Sequence, residues 1–525
     1  MIAALHRPEA YPHPVRDVSL IETHISWVLL TGSWAYKIKK PVNLGFVDFS
    51  TLERRRHFCQ EELRLNQRLA PALYSDLVTI QGPAERARLV GGGPILEVAV
   101  RMRQFDQGDL LPEALDQGRV TGDHWDGFAE RLAWMHGAAA VAPSAGPWGT
   151  PEAVIAPALA NLRVLERVLE RSPPRQGLGP LALWTEQEAE RLQPLFAKRL
   201  ARSRVREGHG DLHLGNLVLH QGVVVGFDCL EFNPALRWID VLSDVAFLAM
   251  DLEQRRQPLL AARLLNRWLS VSGDYTGLAT WRWYLTYRAL VRAKVVALRL
   301  EQLHAAPPAA LAPLAAELER YLALAHRFRA ETGPGQLLLT HGVSGSGKSR
   351  LATALCQRHG WLHLRSDVER RRLFGRWGTP LEPVRQGDAY APAVTAELYG
   401  TLLPRAAEVA LQAGWTVIVD ATFLTRAQRG IFTELADRLA TPWWILRCAV
   451  SPTVARERLV QRAQEGGTDP SEATAAVLAH QWRRLEALTN TEVARAIDGG
   501  TDDSHGVERT EDRLRERAPE LCRPT

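Results

Sequence analysis

The run Gly342-Val343-Ser344-Gly345-Ser346-Gly347-Lys348-Ser349 follows directly on the apolar stretch Gln336-Leu337-Leu338-Leu339-Thr340. It constrains the fold of this 525-residue chain more tightly than any other segment. A loop of this composition turns successive backbone N–H groups toward one anion, with the positive end of the next helix behind them. That geometry needs a strand before the loop and a helix after it. Three further apolar runs, 361–367, 415–423 and 442–450, alternate with helical stretches, which predicts a parallel sheet with helices on both faces. Gly342, Ser344, Gly345, Ser346 and Gly347 are expected to cradle the phosphates of ATP. Lys348 would reach the outer two phosphates, and Ser349 would ligate Mg²⁺.

The residues around this loop extend the expectation. Within the run Trp415–Phe423, Asp420 stands at the end of the expected buried strand, where a second metal-binding carboxylate belongs. Ala421 follows it, not the Glu that activates water in motor ATPases, so transfer to an acceptor is favoured over mechanical work. Ser366-Asp367-Val368-Glu369-Arg370 ends another strand-like run at the same sheet edge. Asp367 could take a proton from an acceptor hydroxyl and Arg370 could bind an anionic group. An N-capping Asp followed by a solvated Arg accounts for the pattern equally well. Arg456, Arg458 and Arg462 precede Glu465-Gly466-Gly467-Thr468-Asp469, a lid-like segment in which Arg458 and Arg462 would neutralise the transferring phosphate. Arg426 and Arg429 are further candidates for acceptor contacts.

A second constellation stands far upstream: His209-Gly210-Asp211-Leu212-His213-Leu214-Gly215-Asn216, then Asp228 at the end of the strand-like Val223-Val224-Val225-Gly226-Phe227. Phosphoryl transfer needs a carboxylate near the acceptor hydroxyl, metal ligands and a Lys on the phosphates. Asp211 is spaced to be the base, with Asn216 and Asp228 as oxygen ligands for Mg²⁺. The phosphate Lys should lie on the third strand, where Lys37 and Lys39 share one face at period two. Lys37 is favoured, but alternation cannot separate the two. Glu62, on the helical stripe with Leu65 and Leu69, is the expected partner, while Lys40 and Glu61 read as solvated. Met102, Gln104 and Phe105 follow the strand-like Ile95–Val100 where an adenine-contacting hinge is expected.

Around these residues the pattern is strand-like from Ile25 to Val47, with the turn Thr31-Gly32-Ser33, then helical from about Thr51 to Leu69. Ser50 is the expected N-cap and Pro71 the stop. A small β lobe (about 1–105) would precede a larger helical lobe (about 106–330). Residues 331–336 are the expected linker, 337–500 the second domain, and 501–525 a charged, poorly ordered tail. Hydrophobic residues make up 46% and charged residues 23%, ordinary for a soluble chain. The net charge of +5 suits anionic ligands but is too weak to argue for nucleic acid. Five scattered Cys without a CxxC pair read as free thiols of a reducing compartment. No signal peptide or apolar run of membrane length is visible, so a cytoplasmic location is expected.

The motif His209-Gly210-Asp211…Asn216, with Asp228, resembles the aminoglycoside phosphotransferase and choline-kinase-like family over roughly residues 20–300. That resemblance implies a bilobal protein-kinase-like fold. Trp238-Ile239-Asp240 and Ser243-Asp244 match the family's D-x-x-x-D, which implies anchoring of the catalytic loop. The sequence departs from kinase-like folds in having no G-x-G-x-x-G loop, only Thr31-Gly32-Ser33. The set of phosphate loop, Asp367-x-x-Arg370 and lid arginines resembles the polynucleotide-kinase and zeta-toxin-like P-loop kinases over roughly 336–490. The whole chain looks like the bacterial bifunctional aminoglycoside phosphotransferase-like and ATP-binding fusions. It is expected to be an ATP- and Mg²⁺-dependent phosphotransferase with two nucleotide sites, acting on hydroxyl-bearing small molecules. Two rival expectations are a nucleotide-binding regulator with one silent domain and a 5′-OH polynucleotide kinase acting through the second domain.

Overall fold

The computed structural model describes residues 1–522 except 46, 90, 171–173, 304–305, 331–332, 334, 380–383, 466–473 and 501–504. The chain divides into two compact units. One comprises 1–157 and 191–251, the other 158–190 and 252–525.

The first unit is built on a five-stranded antiparallel sheet of order β1-β2-β3-β5-β4. Its strands are β1 (Ser19–Glu22), β2 (Ser26–Leu30), β3 (Trp34–Lys39), β4 (Tyr74–Gln81) and β5 (Ile95–Arg103). Strand β1 lay outside the expected strand region; its burial pattern is almost wholly exposed, so it carries no alternation to read. Leu29, Tyr36, Ile38, Ile80 and Ala99 form part of one buried cluster. Cys59, Tyr74, Val98 and Val100 join Val218 and Val225 in another, which seats the helix Leu52–Asn66 on the sheet. The N-cap of that helix is Thr51, not Ser50: the Thr51 side chain accepts from the Arg54 amide. Three short strands follow, β6 (Val205–Glu207), β7 (Leu217–His220) and β8 (Val223–Gly226), and then β9 (Trp238–Asp240). β7 and β8 form a hairpin, and β6 pairs with β9.

The second unit contains a five-stranded parallel sheet of order β11-β12-β10-β13-β14. Its strands are β10 (Leu337–His341), β11 (Leu362–Arg365), β12 (Val417–Asp420), β13 (Trp443–Arg447) and β14 (Ala496–Asp498). The middle strands are buried along their length, as the continuous apolar runs required. Gly335, placed in the expected linker, packs within this unit: its amide donates to Leu411 O at 3.1 Å. Glu331, Thr332 and Pro334 of that linker lie outside the described residues.

The tail departs from the expectation of disorder. Residues Gly506–Arg517 form a helix whose Leu514, with Ala518 and Leu521, enters the same buried cluster as Leu338, Ile418 and Leu446. The many charges of 501–525 masked an amphipathic face, because the apolar residues are few but share one stripe. Leu514 is fully buried. Leu514→Ala is therefore expected to cost about 2–5 kcal/mol of unfolding free energy. Denaturant titration checks this, and a change under ~0.5 kcal/mol would mean the tail is not part of the core.

Candidate active sites

In the first unit, His209 opens the catalytic loop and is fully buried. Its Nε2 donates to Phe227 O at 3.0 Å, which leaves Nδ1 to accept from the Asp211 amide at 3.3 Å. Burial pushes the His209 pKa down and favours this neutral ring, with Asp244 and Asp211 opposing. Asp244 accepts from the His209 amide at 2.6 Å and the Gly210 amide at 2.9 Å, and Asp240 forms a buried pair with Arg199. Asp244 therefore anchors the loop. Gly210 has φ of +87°, and a Cβ there would stand 2.8 Å from Leu236 O. Within the loop so held, Asn216 Nδ2 donates to Asp211 O at 2.9 Å and to its Oδ2 at 3.3 Å.

Asp228 sits just beyond β8 in a left-handed conformation (φ 61°), its amide donating to the Tyr74 hydroxyl at 3.2 Å. The tertiary structure separates the two lysines of β3. Lys37 Nζ lies 2.8 Å from Glu62 Oε1 and 2.5 Å from Asp228 Oδ1. Lys39 Nζ meets the other Glu62 oxygen at 2.7 Å and a carboxylate unseen in the sequence, Glu231. The Lys39 side chain is 1% exposed and that of Lys37 14%, so of the two Lys37 is the one placed to meet a ligand. Burial disfavours charge on all four groups. The two lysines nevertheless hold Glu62 below the usual carboxylate range, whereas burial pushes Glu231 up against the Lys39 charge. Burial likewise opposes the charge on Lys37, but Asp228 and Glu62 outweigh it and raise its pKa.

Three expectations shift here. Gln104, expected at an adenine hinge, has its Oε1 on the Gly32 amide at 2.8 Å and its own amide on Ser33 O at 3.2 Å. It ties the β2–β3 turn to the end of β5. Glu61 and Lys40, expected to be solvated, are paired: Glu61 with Arg64 and Arg237, Lys40 with Glu22 at 2.6 Å. Arg64 is the i+3 neighbour of Glu61 on one helix, whereas Arg237 and Glu22 come from other elements and leave no trace in local spacing.

In the second unit the glycine-rich loop leads from β10 into the helix Lys348–His359. Gly345 has φ of +80°, and a Cβ there would fall 2.6 Å from Ala455 O, so the loop's close approach needs glycine. A cavity of about 580 Å³ opens over the loop, lined by Ser344, Gly345, Gly347, Lys348 and Ser349. Asp367, Arg370, Asp420, Arg458 and Arg462 line it as well, so these expected residues converge on one space. Lys348 is buried, with Nζ donating to Val343 O at 2.7 Å; burial lowers its pKa, with Asp420 opposing.

His363 on β11 was not singled out in the sequence, yet its Nε2 meets Asp420 Oδ2 at 3.2 Å. Burial would raise the Asp420 carboxyl, but the bond from His363, the charge of Arg365 and the Ser349 hydroxyl hold it at about 2. Arg370 is buried under the Tyr390 ring and donates Nη1 to Ala389 O at 2.7 Å and Thr395 Oγ1 at 3.1 Å. Its Nε is buried without a hydrogen-bond partner. The helix Ser366–Leu373, which carries Asp367 and Arg370, is braced from the helix Pro258–Ser272. Arg372 donates to Ser270 O and Val271 O, both at 2.5 Å, and Asn266 bonds the backbone of Trp361 and His363.

Arg429 corrects an expectation. It is wholly buried and bonds Glu492 and the carbonyls of Phe423 and Leu424, so it ties elements together away from the cavity. Arg426 is exposed and lies outside the cavity lining, where Gln428 is found in its place. Both arginines follow β12 on a capped helix, and only its rotation decides which residue faces the cavity. The lid-like residues 466–469 lie outside the described residues.

A kinase-like phosphotransfer site and a phosphate-loop kinase site thus coexist in one chain, which defines an ATP-dependent phosphotransferase acting on hydroxyl groups. Comparison with known proteins agrees. Residues 49–284 match the Phosphotransferase enzyme family and residues 337–488 match an AAA domain. The chain belongs to the family of the uncharacterized proteins Rv2004c of Mycobacterium tuberculosis and Mb2027c of Mycobacterium bovis. It is 31% identical to each over 473 residues, 89% of this chain and 92% of theirs. Among solved structures, a choline/ethanolamine kinase family protein from Mesorhizobium loti aligns at 14% identity over 59% of this chain and 93% of its own (TM-score 0.34). A gluconokinase from Sinorhizobium meliloti 1021 aligns at 21% identity over 36% of this chain and 97% of its own (TM-score 0.26).

Proposed function

We propose that both sites are catalytic and that each transfers the γ-phosphate of ATP to a hydroxyl of its own small-molecule acceptor, in the cytoplasm. The observation that carries this reading is that each unit brings a phosphate-reaching Lys and acidic groups together: Lys37 pairs with Asp228 near the anchored loop of Asp211 and Asn216, and Lys348 lines one cavity with Asp367 and Asp420. In the first site Asp211 takes the proton as the acceptor oxygen bonds to the γ-phosphorus. The bond to the bridging oxygen breaks and ADP leaves with that electron pair. Glu62 holds Lys37 in position for the phosphates, and Asp244 keeps the loop from drifting. Asp367 takes the same part in the second site, with Lys348, Arg458 and Arg462 facing the charge that spreads over the phosphoryl oxygens.

The donor sets fit Mg²⁺. Asn216 with Asp228 in one site, and Ser349 with the ionised Asp420 in the other, offer the hard oxygen ligands it takes. Bound there, Mg²⁺ would neutralise phosphate charge. Arg370, on the helix Ser366–Leu373, lines this cavity, and its unpaired buried Nε favours an acceptor with an anionic group beside the hydroxyl. Arg370→Ala is expected to raise the acceptor KM of the Lys348-dependent reaction about tenfold or more, with a smaller change in kcat. Equal losses in both would place Arg370 on the transferring phosphate.

An acceptor screen with labelled ATP on the wild type, Asp211→Ala and Lys348→Ala assigns each product to one site. If neither substitution lowers any product, the two-site reading fails. One observation favours a silent first site: the β1–β2 connection is Thr23-His24-Ile25, without glycine to cover phosphates closely. On that reading Asp211→Ala leaves every product unchanged. A nucleic-acid acceptor is disfavoured by the mild charge, and 5′-OH oligonucleotides in the same screen test it.

A further inference from the structure

The helix Ala475–Arg484 lies beside the phosphate loop, and no motif reading singled it out. Its Val477, Gln481 and Arg484, at helical spacing, line the cavity together with Ala476 and His480. Beside that face, Leu478 packs in a buried cluster with Val343 of the loop, Leu424, Ala455 and Leu459. Gln481 makes the closest tie. Its Oε1 accepts from the Ser344 amide at 2.7 Å, and its Nε2 donates to Ser344 Oγ at 3.0 Å. One carboxamide therefore reads both a donor and an acceptor on the same loop residue, which fixes the roll of the helix as well as its distance. The far end is held independently: the Glu486 amide donates to Leu424 O at 2.9 Å, and its carboxylate accepts from the Arg426 amide at 2.6 Å.

We propose that Gln481 is a positioning residue for ATP in the phosphate-loop site, acting through Ser344 to set the helix Ala475–Arg484 so that Arg484 faces the phosphates. This rests on the reading of that loop as an ATP site. A carboxamide suits the task because it is neutral. A carboxylate at the same point would keep the acceptor but bring negative charge beside the triphosphate. An apolar side chain would lose both bonds and leave the Ser344 groups unpaired.

The test is titration of the full-length protein with the fluorescent probe mant-ATP and Mg²⁺, the component lost in Lys348→Ala being assigned to this site. Gln481→Ala is expected to weaken that component about tenfold, and Gln481→Glu to weaken it further, with a loss that shrinks at high salt. If Gln481 acts through Arg484, the double variant Gln481→Ala/Arg484→Ala binds no more weakly than the weaker single variant. Additive losses, an unchanged affinity or a tighter one would each overturn the proposal. Should Lys348→Ala leave every component of binding intact, the ATP-site reading itself fails, and that outcome is distinct from the others. Circular dichroism melts of each variant separate a local effect from unfolding, and an unfolded Gln481→Ala is replaced by Gln481→Met.

Discussion

Lys348→Ala is expected to lower phosphoryl transfer at the phosphate-loop site by at least ~10²–10³-fold, the scale lost when one preorganised charge-stabilising donor is removed. The ammonium is buried at the start of the helix Lys348–His359, within the field of Asp420 and Asp367. In that water-poor setting its charge acts on phosphate oxygens with little screening. Lys348→Arg should not restore the rate, because a planar guanidinium needs more room than a site 8% exposed provides. Labelled-ATP assays of products that depend on Lys348 check both variants. A rate within threefold of wild type for Lys348→Ala would remove this loop from the chemistry. The products assigned to Asp211 serve as an internal control that the chain has folded.

Asp211→Ala is expected to lower transfer at the first site by ~10²–10⁴-fold, the usual contribution of a positioned base. The loop should survive the change. Its geometry depends chiefly on His209, Asp244 and backbone bonds; the Asp211 carboxylate adds a 3.3 Å bond from Asn216 and lies 3.6 Å from His213 Nε2, and that side chain is 41% exposed. Stability should therefore stay within ~0.5 kcal/mol, and ATP binding by Lys37 should persist. The combination of retained binding and lost turnover is the signature to look for, by mant-ATP titration beside the product assay. A loss of binding in step with turnover would make Asp211 a structural residue. Lys37→Ala and Lys39→Ala extend the comparison: the first should abolish binding in a folded protein. The second should unfold the site, since it strands Glu62 and Glu231 in a buried pocket.

The legible parts of this molecule were those whose chemistry fixes local spacing. Gly342–Ser349 after an apolar strand can be read because a phosphate loop is contiguous, and Asp211 with Asn216 because one turn holds both. Asp228 and Asp420 were legible for the same reason, each closing a short apolar run. Where the partner comes from elsewhere, the sequence was silent or misleading. Lys37 and Lys39 share a face and both reach Glu62, and only the further pairing of Lys37 with Asp228 and of Lys39 with Glu231 separates them. Arg429 carries the same charge as Arg370 and likewise follows a strand of the sheet on a helix. Helix rotation buried it on Glu492 instead of the cavity.

By itself, then, the sequence determined the two fold classes and the reaction type and marked the candidate residues of each site, because local backbone geometry and contiguous donors dictate them. The tertiary structure alone decided that Lys37 meets Asp228 while Lys39 meets Glu231, that His363 steadies Asp420, that Gln481 clasps Ser344, and that the charged tail completes a core. Each of those outcomes depends on pairs of groups distant in the chain, whose meeting is set by how helices and strands pack rather than by any spacing along the sequence.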